Sequence, residues 1–302
     1  MNVPGSIAEV ERSLRERLYV AERGLATVIF LSLRLQKPLF LEGEAGVGKT
    51  EIAKVLADLL DTELIRLQCY EGLDVNSAVY EWNYSRQLLH IRLLEATGAH
   101  QNEALREIFG PEFMIRRPLL QAIEEKDGRA PVLLIDEIDR ADEEFEAFLL
   151  ELLSDYQITV PEIGTIRAKE PPVVVITSNR TREVHDALKR RCLYHWIDYP
   201  SFQKEFQIVT TKRPEVTADL ARQVCRFVEE LRRQDLYKLP GVAETLDWAA
   251  ALSELDVVAL DPATVSDTLG VLLKYQDDIA RLEGSKVKEL LDDVKAELRA
   301  AE

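Results

Sequence analysis

The stretch GEAGVGKT, residues 43–50, constrains the fold of this chain more than any other feature. It fits the pattern G-x-x-x-x-G-K-[ST], in which glycines let the backbone wrap around phosphate and the lysine adds a positive charge. The apolar run PLFLE precedes it and the helical pattern TEIAKVLADLL follows. The alternative is a glycine-rich turn that contains a lysine by chance, and such a turn would require neither the apolar run before it nor the helical pattern after it. The stretch therefore predicts a strand, a phosphate-binding loop and a helix, in that order.

The loop and the first helical turn contain the predicted nucleotide contacts. Backbone amides at a helix start point towards a bound anion, and the hydroxyl of Thr50 can bind Mg²⁺. We therefore predict ATP and Mg²⁺ as the cofactors. The predicted contacts are Gly43, Glu44, Ala45, Gly46, Val47, Gly48, Lys49, Thr50 and Glu51.

Two acidic residues follow an aliphatic run in VLLIDEIDRADEE, residues 132–144. Asp136 and Glu137 come at the carboxyl end of a predicted parallel strand, which is where open α/β sheets bind ligands. Asp136 is predicted to hold Mg²⁺ together with Thr50, and Glu137 to accept a proton from an attacking water. The alternative is a strand followed by a helix whose acidic N-terminus interacts favourably with the helix dipole. This alternative explains the acids at 142–144 well, but it explains Asp136 and Glu137 less well.

The next predicted strand, in VVVITSNR at residues 173–180, has Asn179 at its tip. Its amide is predicted to orient the attacking water or to touch the outer phosphate. Asparagine is also common in turns at strand ends, so this interpretation stays open beside the catalytic one.

Strand patterns alternate with helical patterns through the first 200 residues, as in a parallel sheet with helices on both faces. The predicted strands are 38–42, 63–68, 131–135, 172–177 and 193–197. After Pro200 the apolar spacing is helical throughout, and the charged segment 284–302 is expected to be a solvated helix. We predict an α/β core over 1–200 and a smaller, all-helical lid domain over 201–302.

The charge balance argues against a nucleic-acid partner. The 302 residues include 54 acidic and 38 basic ones, for a formal net charge of −16. Such a chain offers little attraction to a phosphate backbone, although a local basic stripe would remain compatible with it.

Other features favour a cytoplasmic protein without a membrane span. The N-terminus lacks the apolar core of a secretory signal, and the strongest apolar stretch, 25–35, is short and interrupted by Arg34. We predict that this stretch is a core helix. Three distant cysteines suit a reducing compartment, and neither they nor the four histidines have metal-site spacing. The cysteines, predicted to be buried, are Cys69, Cys192 and Cys225.

Paired arginines, Arg190 and Arg191, precede a final apolar run in LKRRCLYHW, residues 188–196. With the phosphate loop, the acidic strand end, the polar tip and the helical C-terminal part, they make the chain resemble the AAA+ ATPases over nearly its whole length. The resemblance implies a three-layer core with a five-stranded parallel sheet and a homo-oligomeric ring, expected to be a hexamer. It also implies that Arg191, with Arg190 as second candidate, reaches the γ-phosphate bound by a neighbouring copy. Arginines that satisfy carbonyls at a helix end are the alternative.

Within AAA+ the chain resembles the MoxR family. The stretch IDEIDRADEEFEAFLLELL is similar to that family's DEINRA helix, and insertions at about 70–86 and 157–170, the second a hairpin with Gly164 near its turn, are similar to its pore elements. The branch that accompanies carbon monoxide dehydrogenase is further resembled in the stretches LQCYEGLDVNSAVYEWNY, RRPLLQA, RRCLYHWIDYP and GVAETLDWA. This resemblance implies a maturation factor that works with a von Willebrand A-domain partner and remodels a protein client, such as a molybdenum oxidoreductase.

The lid departs from the AAA+ pattern in GVAETLDWA, where an arginine that senses the γ-phosphate is expected and Glu244 stands nearby. A carboxylate cannot stabilise a phosphate, so three alternatives follow. Lys238 replaces the arginine, Arg190 and Arg191 carry more of its role, or coupling to the lid is weakened. We expect nucleotide binding to remain and turnover to be slow.

Aromatic residues are concentrated in the first insertion, where they could grip a client or pack on one another. They are Tyr70, Tyr80, Trp82 and Tyr84. For the apolar residues 113–115, which precede two arginines, a core or interface role is the favoured interpretation.

Two other function classes stay open. A nucleic-acid motor would need basic insertions, yet 70–84 contains no lysine or arginine and 157–170 has only Arg167 and Lys169. A nucleotide-gated scaffold with little turnover is compatible with the Glu244 departure.

Overall fold

The computed structural model describes residues 3–97, 108–124, 128–161, 163–282 and 284–300. The chain forms two compact units, which we call the core unit and the helical unit. The core unit contains Met1–Val10, Arg23–Glu42 and Thr50–Trp196, and the helical unit contains Glu11–Glu22, Gly43–Lys49 and Ile197–Glu302. The domain boundary after residue 200 stays a prediction.

The central element is a parallel five-stranded sheet with the order β2-β5-β8-β1-β9. Helices accompany the sheet and a helical region follows it, which confirms the predicted fold class. Each strand of this sheet begins and ends within one residue of its predicted bounds. The strands are β1 Leu39–Gly43, β2 Leu64–Gln68, β3 Tyr80–Trp82, β4 Met114–Arg116, β5 Val132–Asp136, β6 Gln157–Val160, β7 Gly164–Arg167, β8 Val173–Ser178 and β9 Leu193–Ile197.

The described helices follow the apolar periodicity of the sequence. Up to the last sheet strand, β9, they are α1 Ile7–Glu16, α2 Arg23–Leu35, α3 Lys49–Leu60, α4 Val75–Val79, α5 Tyr84–Thr97, α6 Pro118–Ile123, α7 Glu143–Asp155 and α8 Asp186–Arg191. After the sheet they are α9 Phe202–Lys212, α10 Ala218–Leu231, α11 Val242–Glu254, α12 Pro262–Leu272, α13 Gln276–Leu282 and α14 Ser285–Ala300.

The register of the sheet brings polar strand ends to one edge. Gln68 on β2 is paired with Asp136 on β5, and Glu42 on β1 is paired with Ser178 on β8. The interiors of the three central strands, β5, β8 and β1, are apolar because these strands are covered on both faces, and all five residues of β5 are buried. The side chains that carry chemistry are therefore gathered where the strands end.

Two small antiparallel sheets lie outside the central one. In the first, β3 pairs with β4 and Trp82 is buried against Tyr80 and Phe109 at ring distances of 5.9 and 5.3 Å. Trp82 is thus a packing residue, whereas Tyr70 and Tyr84 are exposed. In the second, β6 and β7 form the predicted hairpin, with Gly164 at φ +102°. Residue 162 of this hairpin lies outside the described residues.

The helical unit has its own apolar core around the fully buried Trp248, whose indole Nε1–H donates to Thr268 at 2.8 Å. A buried ion pair joins the end of α10 to α9 there, since Arg232, the residue after α10, donates to both carboxylate oxygens of Glu205 at 2.6 and 2.8 Å. The predicted terminal helix is present as α14, but it packs four apolar side chains into this core, so the prediction that it is solvated was wrong for that face. The periodicity of its leucines and valines outweighs its charge.

The three cysteines are free and buried, as predicted. The stretch 25–35 lies within α2, a helix with five buried residues. In the part of the chain that the structure describes, no helix has both the length and the apolar character needed to cross a membrane. His100 lies outside the described residues.

Candidate nucleotide-binding site

The loop between β1 and α3 has the backbone that a phosphate-binding loop requires. Gly46 and Gly48 have φ values of +76° and +91°, in the left-handed region that glycine enters without steric cost. Lys49 is buried, and its ammonium group donates to the carbonyl oxygens of Gly43 at 2.7 Å and Glu44 at 2.5 Å. The loop thus curls around its own lysine, and these residues fit a bound phosphate group.

The two predicted metal ligands lie together. The Thr50 hydroxyl donates to Oδ1 of Asp136 at 3.0 Å, and the Thr177 hydroxyl donates to the same oxygen at 2.5 Å. Asp136 is only 2% exposed. A hydroxyl and a carboxylate so close to each other are the hard oxygen ligands that Mg²⁺ prefers.

Arg66 is a component of this cluster that sequence reasoning missed. Its guanidinium lies 2.5 Å from Oδ2 of Asp136 and donates to Oε1 of Gln68, also at 2.5 Å. This positive charge offsets the burial of the Asp136 carboxylate. One signal could have revealed it: Arg66 and Gln68 alternate with apolar residues in LIRLQ, on a strand predicted to end beside the acidic one.

Glu137 lies between two amide side chains. Nδ2 of Asn179 donates to one carboxylate oxygen at 3.3 Å, and Nε2 of Gln68 donates to the other at 3.1 Å. Its backbone is left-handed, at φ +56°, and its N–H donates to the hydroxyl of Thr177 at 2.9 Å. The structure therefore brings together the predicted base and the predicted polar tip, held by the sharp turn after β5.

Asp139 anchors the turn that carries Asn179. This buried carboxylate accepts from the backbone N–H groups of Asn179 and Thr181, at 3.1 and 2.9 Å, and from the Thr181 hydroxyl at 2.6 Å. The turn after β8 is consequently fixed to the segment after β5. The sequence shows Asp139 only as one acid among several in an acidic segment.

The thiol of Cys69 lies near these carboxylates and stays protonated. Its pKa is raised to about 12, first by burial and then by the charge of Asp136. A neutral thiol is a weak nucleophile, so Cys69 is a packing residue here.

The predicted arginine pair ends the short helix α8. Both side chains are exposed, and Arg190 lies 3.6 Å from Asp186 one turn earlier. Among the residues that the structure describes, none forms a hydrogen bond or ion pair with Arg191. The N–H of Cys192, the residue after the helix, donates to the carbonyl of Lys189 at 3.1 Å, and among the described hydrogen bonds none joins either guanidinium to a carbonyl at the helix end.

Glu244, the residue that departs from the AAA+ pattern, caps helix α11. Its Oε2 accepts from the N–H of Gly241 at 2.9 Å, and the N–H of Ala243 donates to the carbonyl of Gly46 at 3.1 Å. The helix start thus contacts the phosphate loop directly. Lys238 is exposed and its backbone N–H donates to Asp278, so the described contacts do not bring its ammonium group to the loop.

Comparison with known proteins gives one family match and several distant relatives. The family described as AAA domain (dynein-related subfamily) matches residues 38–192, more than half of the chain. An uncharacterized protein of Staphylococcus aureus (strain NCTC 8325) is 25% identical over an alignment of 252 residues that covers 81% of this chain and 86% of that protein.

Two solved structures are similar only at a low level. A Cytophaga hutchinsonii protein, provisionally described as an ATPase, is 14% identical with a TM-score of 0.49, covering 96% of this chain and 93% of its own. The Thermotoga maritima RuvB Holliday junction branch migration motor is 17% identical with a TM-score of 0.46, covering 89% and 72%.

The family match and the site agree. The matched residues include the phosphate loop, the acidic strand end, the Asn179 turn and helix α8. The chain belongs to the AAA domain family of the dynein-related subfamily, within the AAA+ ATPases.

Proposed function

We propose that this protein is a Mg²⁺-dependent ATPase of the MoxR type, which assembles into a homo-oligomeric, hexameric ring and uses ATP hydrolysis to remodel a protein client. The observation that carries the proposal is the cluster of Thr50, Asp136, Glu137 and Asn179 at one edge of the sheet. ATP hydrolysis needs both a pair of metal ligands and a separate carboxylate that activates water, and this cluster is compatible with both roles.

Each residue has a role in this reaction. Loop amides and Lys49 hold the phosphates, and Thr50 and Asp136 hold Mg²⁺, which when bound neutralises charge on the phosphate oxygens. Glu137 accepts the proton of the attacking water, and Asn179 orients that water. Gln68 and Asn179 donate to opposite oxygens of the Glu137 carboxylate and Arg140 donates to one of them at 3.3 Å, so three side chains orient it.

Arg191 completes the site of a neighbouring copy. Charge that develops on the transferred phosphoryl group needs a cation, and a cation supplied in trans makes hydrolysis depend on assembly. The exposed position of Arg191 at the end of α8 supports this role. Arg190 is the second candidate, although its contact with Asp186 leaves it less available.

The MoxR assignment and the client rest on the sequence resemblance. The hairpin of β6 and β7, the β3–β4 ribbon and the exposed Tyr70 and Tyr84 are compatible with client contact. We propose a von Willebrand A-domain protein as partner, a molybdenum oxidoreductase as client class and the cytoplasm as location. The acidic net charge and the scarcity of basic residues in both insertions make nucleic acid the less favoured substrate.

The test combines assembly with turnover. Purified protein with ATP and Mg²⁺ should form a ring and hydrolyse ATP, and Glu137→Gln should bind ATP without turnover. Proteins that co-purify with Glu137→Gln should include an A-domain protein and an oxidoreductase subunit. Salt-sensitive DNA binding by the wild type would point instead to a nucleic-acid motor.

A nucleotide-gated scaffold is the second candidate. The carboxylate of Glu244 lies beside the phosphate loop, and Arg66 already contacts Asp136, so both features oppose rapid turnover. A scaffold would show equally negligible hydrolysis in the wild type and in Glu137→Gln, with ATP-dependent partner binding in both.

A further inference from the structure

Glu42 is a buried carboxylate that the proposed reaction does not use. It is the last residue before the phosphate loop and is 3% exposed. Its oxygens accept from the Tyr194 hydroxyl at 2.9 Å and the Ser178 hydroxyl at 3.3 Å, and Lys189 Nζ lies 3.4 and 3.5 Å from them. A buried carboxylate is costly unless it is paired, so these donors form a site built for it.

The surroundings hold this arrangement in place. Phe40, two residues before Glu42, stacks on the ring of Tyr194 at 6.0 Å, and the Lys189 ammonium lies 5.7 Å from the same Phe40 ring. The pKa of Tyr194 is raised to about 12 by desolvation and by its hydrogen bond to Glu42, so the phenol remains a donor at neutral pH. Lys189 therefore has both a charge partner and an aromatic face at the end of β1.

Lys189 belongs to the last turn of α8 and directly precedes Arg190 and Arg191. Helix α8 has six residues, too few to hold its own direction without tertiary contacts. Leu188 is fully buried and Lys189 is tied to Glu42, whereas Arg190 has a side chain that is 81% exposed. The exposed arginines thus project from a turn whose orientation depends on the two preceding residues.

We propose that Glu42 is a positioning residue for the arginine pair: through Lys189 it ties the end of α8 to the strand that enters the phosphate loop of the same protomer. This inference rests on the proposed function, because it assumes that the arginines act on a neighbouring copy. It also implies that β1, the strand before the phosphate loop of one protomer, orients the arginines that reach the ATP site of the neighbouring protomer.

The test separates the copy that donates arginines from the copy that carries the working site. The Glu137→Gln protein keeps Arg190 and Arg191 but cannot hydrolyse ATP in its own site. The Arg190→Ala/Arg191→Ala protein keeps its own hydrolytic site but cannot supply the arginine pair to a neighbour. Mixing them should restore hydrolysis above the rate of either alone. Glu42→Gln is then added to one partner at a time, because glutamine keeps the size and the acceptor for Tyr194 but removes the charge that holds Lys189.

We expect Glu42→Gln to lower the restored rate about tenfold to a hundredfold in the arginine donor, as misplacement by about 1 Å does. In the site carrier it should change the rate less than about twofold, within the range of independent sites. Glu183→Gln in the donor is the matched control, because Glu183 also lies 3.5 Å from Lys189 but is 72% exposed. It should leave the restored rate unchanged.

Three results would overturn the proposal. An unchanged rate with Glu42→Gln in the donor rejects the positioning role while leaving the proposed function intact. A loss confined to the site carrier shows that Glu42 serves its own phosphate loop. Absence of restoration in the unmodified mixture rejects the trans mechanism and the positioning role with it. Affinity for a fluorescent ATP analogue and ring size monitor folding, and Lys189→Met in the donor tests the same link if Glu42→Gln does not assemble.

Discussion

Gly46 and Gly241 approach so closely that the Gly241 position has no room for a side chain. A Cβ on Gly241 would lie 2.9 Å from Cα of Gly46 and 2.7 Å from the carbonyl oxygen of Ala45, distances that folded proteins do not tolerate. The phosphate loop and the start of α11 are therefore in backbone contact, which the hydrogen bond from Ala243 to Gly46 extends. We therefore expect a change at this helix start to alter the phosphate loop within the helical unit.

Gly241→Ala should separate the helix start from the loop. We expect the free energy of unfolding to fall by about 1–3 kcal/mol, as overpacking does, and ATP affinity to change as well. Urea unfolding and nucleotide titration measure the two effects. Gly270→Ala is the control, since a Cβ there meets nothing within 4 Å and alanine should stabilise α12 by about 0.5–1 kcal/mol. Equal effects of the two substitutions would show that the close contact is absent in solution.

Glu244→Gln should tighten ATP binding. A Cβ on Gly46 would lie 2.9 Å from Oε2 of Glu244, so this carboxylate is close enough to repel a bound triphosphate. Glutamine keeps an acceptor for the N–H of Gly241 and removes the charge, and we expect an affinity gain on the order of tenfold. Glu254→Gln, at the opposite end of α11, is the control and should leave affinity unchanged. Weaker binding by Glu244→Gln would mean that the carboxylate organises the loop.

Arg66→Ala should lower the Mg²⁺ concentration needed for half-maximal hydrolysis. Arg66 contacts Oδ2 of Asp136, so its guanidinium and the metal compete for one carboxylate. We expect a shift of about threefold to tenfold, the effect of one nearby charge at partial exposure. Arg129→Ala removes an exposed arginine paired with Asp61 and serves as the control. A higher Mg²⁺ requirement would instead show that Arg66 holds Asp136 in the geometry that binds the metal.

Arg191→Ala should abolish most hydrolysis while leaving ATP binding and ring assembly intact. The loss expected for an arginine that acts in trans is about 10³-fold or more in kcat. Arg190→Ala should cost less, because Arg190 already contacts Asp186. Steady-state turnover beside analytical ultracentrifugation with ATP measures both properties. A monomer that hydrolyses ATP equally well with and without Arg191 would refute the trans mechanism.

Stability should decline above pH 9 because buried thiols resist ionisation. The pKa values of Cys69 and Cys192 are raised from 9.0 to about 12, in both cases chiefly by burial. The folded state keeps these protons while the unfolded state releases them, so their stabilisation is complete below pH 9 and is lost as the pH rises towards 12. We expect a loss on the order of 1 kcal/mol per thiol at pH 10.

Urea unfolding at pH 8 and pH 10 checks this expectation. A Cys69→Ala/Cys192→Ala variant is the control and should show a smaller difference between the two pH values. Thiol reagents should label neither cysteine in the native protein at pH 8. Rapid native labelling would contradict the burial on which the pH effect depends.

The features that the sequence determined by itself are those whose signals lie within a few consecutive residues. The phosphate loop, the alternation of strands and helices and the acidic strand end are local patterns, because backbone freedom at glycine and apolar periodicity act over short distances. Asp136, Glu137 and Asn179 were also predictable, since the carboxyl ends of parallel strands converge at one edge. The contact between Glu137 and Asn179 follows from that topology.

Only the tertiary structure decided which distant residues meet. Arg66 contacts Asp136, Lys189 contacts Glu42, and Gly46 contacts Gly241 across separations of 70, 147 and 195 positions in the chain. Nothing in the surrounding letters marks an arginine as a charge partner or a glycine as a contact point, because these contacts form where separate elements pack. Burial then gives them their importance, since a carboxylate out of water needs a partner and two backbones in contact leave no space for a side chain.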